Sequence, residues 1–154
     1  MMIPSTVERV PQNTDERWNR QIQRQTEQDV AAAAAGGPAA IERRLEELDR
    51  EWDIERTLEA NAASLSLAGV ILGATTHRGF FFLPGIVGAF LLQHAIQGWC
   101  PPVPVFRRLG FRTQPEIERE RYALKALRGD FQNIAPSSDG TTSMVQRALN
   151  AVEA

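Results

Sequence analysis

Between Ala60 and Trp99 the chain carries one formally charged residue, Arg78, and this restricts its folding more than any other feature. Ala60 to Thr76 is 17 uncharged residues. As a helix it covers about 25 Å, slightly short of a hydrocarbon core about 30 Å thick. Gly79 to Trp99 is 21 residues, free of formal charge unless His94 is protonated, and covers about 31 Å on the same rise. This second stretch is the stronger span, because Asn61, Ser64, Ser66, Thr75 and Thr76 dilute the first. A tight polar turn at His77 and Arg78 joins them, which favours insertion as a pair. The predicted fold class is all-α, a membrane helical hairpin over 60–99 flanked by two amphipathic cytoplasmic helices and disordered tails.

Small residues support helix pairing independently. Ala62, Ser66, Gly69, Gly73 and Thr76 fall four, three, four and three apart, so they share one helical face. Apolar burial cannot drive helices together in lipid, and close backbone approach along small residues becomes a main source of association. Gly69 to Gly73 matches GxxxG, and Gly85 to Ala89 is a small-xxx-small match on the second helix. The pattern predicts packing within the hairpin or between copies, hence a homo-oligomer.

Polar residues inside a span have functional and structural readings. A turn centred on Arg78 brings Asn61 level with Ala95 and Ser64 level with Leu92. Gln93, His94 and Gln97 would then form a polar layer with Asn61 and Ser64, each interhelical hydrogen bond contributing about 0.6 kcal/mol. An intramembrane histidine is also a candidate metal or haem ligand. No second ligand lies at helical spacing from it, so the layer is the reading adopted.

The flanks are polar. Residues 1–40 mix Gln, Arg and acids, with a run from Ala31 to Ala35 before Gly36, Gly37 and Pro38. Helix signals lie between Thr14 and Ala35, but so little apolar surface predicts a weakly ordered N-terminal arm. Ile41, Leu45, Leu48 and Trp52, with Leu58 near the next position, predict an amphipathic helix over 41–59 whose other faces are acidic. A helical protein partner suits that face better than anionic lipid does. Past the hairpin, residues 100–131 hold a Pro-rich exit and a second amphipathic helix from about Pro115 to Arg128, with its acids early and its bases late. Residues 132–154 read as a flexible tail with a short helical stretch from Thr142 to Val152.

Residues 1–60 carry a net charge of −5 and residues 100–131 one of +3. Neither balance marks a nucleic-acid binder. Arg43, Arg44, Arg50 and Arg56 precede the hairpin, Arg107, Arg108, Arg112 and Arg119 follow it, and only Arg78 occupies the turn. Basic flanks stay cytoplasmic, so both termini are expected there. The two amphipathic helices would then share one side and dock, with Arg107, Arg108 or Arg112 meeting the acidic face.

The segments Gly98-Trp99-Cys100-Pro101-Pro102, Arg107 to Thr113 and Glu120 to Phe131, behind a two-helix hairpin, resemble the YgaP-like inner-membrane family over about residues 41–131. The resemblance implies a bacterial inner-membrane, multi-pass protein with a dimerising hairpin. Some members add a rhodanese sulfurtransferase domain. A rhodanese loop has Cys, four residues, then Arg, whereas six residues, Pro-Pro-Val-Pro-Val-Phe, separate Cys100 from Arg107, so sulfur transfer is not carried over.

The lone cysteine, Cys100, rules out an internal disulfide. It is a candidate redox or persulfide-carrying thiol, but only distant arginines are available to depress its pKa, which favours a structural role. No catalytic residue, metal site or cofactor is expected. The predicted function is a membrane anchor or scaffold that meets the lipid bilayer, a second copy and a helical partner through its cytoplasmic helices. The alternatives are an oligomeric pore or carrier lined by Gln93, His94 and Gln97, and a thiol-handling accessory protein using Cys100.

Overall fold

The computed structural model describes residues 5, 7–132 and 141–153. Its elements are all helical among the described residues: α1 (Arg9–Gln12), α2 (Glu16–Ala35), α3 (Pro38–Arg50), α4 (Ile54–Thr75), a 3₁₀ turn (Arg78–Phe81), α5 (Phe82–Gln97), α6 (Val103–Arg108), α7 (Gln114–Arg128) and α8 (Thr141–Glu153). The all-α class is as expected. Two compact units divide the chain, Met1–Gln25 with Trp52–Ile117, and Thr26–Glu51 with Glu118–Ala154.

The first unit is built on the hairpin of α4 and α5. The helix expected over 41–59 is broken in two, because Glu51 and Asp53 adopt extended backbone. Asp53 caps the new start, its carboxylate accepting from the Arg56 amide at 2.7 Å. Such a cap is worth about 1 kcal/mol. From Ile54 the helix then runs uninterrupted into the apolar stretch, so the boundary expected near residue 60 does not exist. At the far end His77 Nδ1 accepts from the Gly79 amide at 3.0 Å and the 3₁₀ turn follows, which delays α5 until Phe82. Gly98 ends α5 in the left-handed region, φ 75°, its amide donating to the His94 carbonyl at 2.7 Å. This is the usual use of glycine just past a helix.

Below the hairpin, Val10, Ile54, Leu58, Cys100 and Val103 form a buried cluster with Phe106 and Phe111 against it. Val10 comes from the segment expected to be a weakly ordered arm, and that expectation is corrected: residues 9–12 and 16–35 are helical, with Val10, Ile22 and Ala33 buried. The arm has few apolar residues of its own. Val10 enters a core supplied by distant parts of the chain. Residues 1–4 and 6 of the arm lie outside the described residues.

In the second unit Ala33, Ile41, Leu45, Leu48, Leu124 and Ala151 are buried. The stripe Ile41, Leu45, Leu48 faces inward as its spacing predicts, while Trp52, beyond the break, is exposed beside the Arg56 guanidinium. Helices α3 and α7 are joined by ion pairs. Arg44 binds the fully buried Glu120 at 2.6 Å, Asp29 at 3.2 Å and Glu47 at 2.9 Å. Arg121 pairs with Asp49, and Arg128 with Glu42 at 2.6 Å. The two amphipathic helices therefore dock, but through Arg121 and Arg128 of α7 and Arg44 of α3. The expected α8 stretch is helical, and its neighbour 133–140 lies outside the described residues. Lys125 Nζ donates to the Val152 carbonyl at 2.6 Å, satisfying an α8 terminus.

Candidate membrane hairpin and its polar base

Two stretches are long and apolar enough to cross a membrane, one ending at Thr75 and one covering Arg78–Gln97. Leu67, Val70 and Ile71 on α4 and Phe82, Ile86, Leu92 and Ile96 on α5 are exposed. Soluble monomers rarely expose so continuous an apolar surface. A helical hairpin closes its own backbone hydrogen bonds, as lipid requires. What marks this surface is that large apolar side chains face outward while Gly69 and Gly73 face inward.

Gly69 and Gly73 are buried where α5 begins. A Cβ on Gly69 would come within 2.8 Å of Pro84 Cδ and 3.0 Å of Leu83 Cβ, and one on Gly73 within 2.8 Å of the Phe81 ring. The GxxxG pair thus seats the second helix of the same hairpin. Ala62 and Ser66, on the same face, are half-buried. Gly85 and Ala89 are exposed instead, and a Cβ on Gly85 meets nothing within 4 Å.

The polar layer is not assembled as expected. Asn61 and Ser64 are exposed, and Asn61 Nδ2 donates to the Thr57 carbonyl of its own helix at 2.8 Å. Gln93 and Gln97 are half-buried, whereas His94 is buried, with Glu55 and Arg9 as its charged neighbours. The cause is register. A turn centred on Arg78 would set Gly69 near Val87, but Gly69 lies against Leu83 and Pro84 and Gly73 against Phe81, so the pairing is centred near Thr76 and His77, one to two residues earlier.

The groups around His94 form a polar base that sequence reasoning missed. Arg9 Nη1 donates to the Ala95 carbonyl at 3.1 Å, and its Nη2 pairs with Glu55 at 3.2 Å. Asn13 Nδ2 donates to the Gln97 carbonyl at 2.8 Å. These are carbonyls of the last turn of α5, which have no partner inside the helix. α1 therefore straps α5 to α4. The helix end signals in the sequence that donors are needed; nothing in the spacing says that Arg9 and Asn13 supply them.

A second buried ion pair fixes the exit. Arg107, 1% exposed, donates to Glu116 at 2.6 and 2.8 Å, to Asn19 at 2.8 Å and to the Phe111 carbonyl at 3.0 Å. Burial alone would push the Glu116 carboxyl up, but the Arg107 hydrogen bond and charge and the Thr113 amide together hold it below its ordinary value. Arg107 therefore does not meet the acidic face of α3, contrary to expectation. Arg108 stands 6.0 Å from the Trp18 ring, and Arg112 is buried, its carbonyl accepting from the Ile54 amide at 2.8 Å.

Cys100 is 3% exposed, and burial pushes its thiol pKa up. Nucleophilic or redox thiols require the opposite shift. The residue lines one end of an apolar crevice of about 180 Å³ between α4 and α5, shared with Leu58, Ala62, Leu65, Phe90, Pro101 and Pro102.

A relative, "Uncharacterized protein slr1261" of Synechocystis sp. (strain ATCC 27184 / PCC 6803 / Kazusa), is 47% identical over 47 residues, 30% of this chain. The match spans about a quarter of that relative's length, 26%. No solved structure matches. The family model described as "Inner membrane protein YgaP-like, transmembrane domain" matches residues 53–116, from the Asp53 cap to the Glu116 partner of Arg107, so the hairpin, its exit and the buried ion pair together correspond to a YgaP-like transmembrane domain of a membrane protein.

Proposed function

We propose that the protein is an integral inner-membrane anchor or scaffold whose hairpin inserts with both ends cytoplasmic. The observation that carries this reading is the outward apolar surface of α4 and α5 within a segment that matches a YgaP-like transmembrane domain. Orientation rests on the arginines that flank the hairpin on both sides against the single Arg78 at its turn. Self-association uses the exposed Gly85 and Ala89 face of α5, because Gly69 and Gly73 are already occupied inside the hairpin. A pore lined by Gln93, His94 and Gln97 is the weaker reading, since His94 lies among α1 and α4 groups rather than on an outer face. A thiol function is weaker still, given the buried, protonated Cys100.

Alkaline carbonate extraction of membranes from cells making the full chain tests the anchor. Retention in the pellet, with release only by detergent, is expected. Release by carbonate overturns it. Crosslinking in native membranes then tests self-association: Gly85→Leu with Ala89→Leu is expected to abolish the crosslinked dimer while leaving insertion intact.

A further inference from the structure

His94 is 4% exposed, and neither of its ring nitrogens has a hydrogen-bond partner among the described residues. Two further buried atoms of the same polar base share that condition, Arg9 Nε and Glu55 Oε2. The three side chains come from α1, α4 and the last turn of α5. Arg9 ties them together, with Nη1 on the Ala95 carbonyl next to His94 and Nη2 on Glu55 Oε1. Its backbone lies against Gly98, where an added Cβ would collide with the Arg9 carbonyl.

Buried polar groups without partners are costly, so the balance of donors and acceptors decides which state this base tolerates. A neutral imidazole offers one donor and one acceptor. The unpartnered atoms then comprise two donors, Arg9 Nε and one ring N–H, and two acceptors, Glu55 Oε2 and the other ring nitrogen. They match, and the Arg9–Glu55 pair leaves no charge in excess. A protonated imidazole donates from both nitrogens. The same atoms become three donors and one acceptor, with one positive charge in excess. Which cation yields follows from the elements. His94 is held in a 16-residue helix, whereas Arg9 belongs to a four-residue helix and its side chain is already 21% exposed. So short a helix has no stability of its own.

We propose that His94 is a proton-operated latch: on its protonation the Glu55 carboxylate passes from Arg9 to His94, and α1 comes away from the end of α5. One proton moves from solvent to the imidazole, and no other group changes its protonation. The Arg9 charge moves to water, and the Ala95 and Gln97 carbonyls lose their α1 donors. Arg9 from α1 and Glu55 from α4 are the charged groups that act on His94. On the α6 side the buried cluster carries one titratable group, the Cys100 thiol, which burial keeps neutral. Every group in the latch belongs to the polar base, so it holds whether or not the hairpin is an anchor.

Hydrogen exchange of the full chain in nanodiscs tests the latch. The Gln12 and Asn13 amides donate to the Glu8 and Val10 carbonyls of the α1 segment, so their protection measures its docking. After correction for intrinsic rates, that protection is expected to fall about tenfold between pH 8 and pH 5, while the Gly69 and Gly73 amides hold theirs. His94→Gln keeps a donor and an acceptor but takes no proton, and its α1 protection is expected to be equal at both values. On the unsubstituted chain, nitrogen NMR of labelled histidine follows both imidazoles, with His77 at the exposed turn as the reference. The His94 signals are expected to reach the protonated form over the range in which α1 loses protection. Protonation of His94 with α1 still protected overturns the latch, as does loss of protection while His94 stays neutral, or no change in either. Equal pH dependence in His94→Gln assigns the release to a carboxylate and overturns it too. If that variant does not fold, the two readouts on the unsubstituted chain decide alone.

Discussion

Gly69, Gly73 and Gly85 are the same residue type in three different situations. At Gly69 a methyl group would press on Pro84, Leu83 and the Phe80 carbonyl within 3.2 Å, and at Gly73 on an aromatic ring. Overpacking a tight contact costs about 1–3 kcal/mol. Gly69→Ala and Gly73→Ala are therefore expected to destabilise the detergent-solubilised hairpin by that amount in a denaturation titration, and Gly85→Ala to stay within about 0.5 kcal/mol of the parent. Gly98 is more demanding. It has φ 75°, and an added Cβ would collide with the Arg9 backbone, so Gly98→Ala combines left-handed strain of about 1–2 kcal/mol with loss of the strap. Cys100 gives a chemical readout of the same core. A maleimide is expected to leave it unlabelled in native membranes and to label it stoichiometrically after denaturation, as measured by intact mass.

The Arg107–Glu116 pair belongs to the scale of elements, since it joins α6 to the start of α7. Removing one partner of a buried pair costs about 3–5 kcal/mol, because the other charge is left unpaired. Glu116→Gln is expected to fall at the low end of that range, since an amide still accepts from the guanidinium. The pair also predicts a pH dependence. The Glu116 carboxyl is held below its ordinary 4.5 in the folded protein, so its contribution is complete above that value and is lost as pH falls through the lower folded value. Thermal melts across the acid range are expected to show a smaller decline for Glu116→Gln than for the parent. These elements were unequally legible in sequence. The inward stripe of α3 and the existence of two apolar helices follow from spacing, whereas the start of the first at Ile54 and of the second at Phe82 do not. The break at Asp53 carries a capping residue, but a periodic apolar pattern from Ile41 to Trp52 runs up to it, and Leu58 continues that pattern only if the cap is ignored. The hairpin register depends on which residue the turn is centred on, which spacing alone does not fix; with the centre near Thr76 and His77 in place of Arg78, His94 comes level with the start of α4 and away from Asn61 and Ser64.

At the scale of the whole molecule, two compact units make separable predictions. In the second, Arg44 serves Glu120, Asp29 and Glu47, and Glu120 is fully buried. Arg44→Ala is expected to cost about 3 kcal/mol and to raise hydrogen exchange at residues 41–50 and 118–128, while the hairpin amides keep their protection. The contribution of α1 and α2 escaped the sequence because their apolar and polar partners lie so far along the chain that neither helix looks stable by itself. That separation has a consequence for biosynthesis. Arg9 and the Ala95 carbonyl that it binds are 86 residues apart. At about 5–20 residues per second a ribosome needs roughly 4–17 s to make the intervening chain. During that interval the strap has no acceptor, and the first helix of the hairpin emerges before the second can cover its glycine face. The hairpin can be locked only from the last-made end, so a translational pause after Gln97 would favour closure, and one before Phe82 would leave Gly69 and Gly73 open to any other helix at the insertion site.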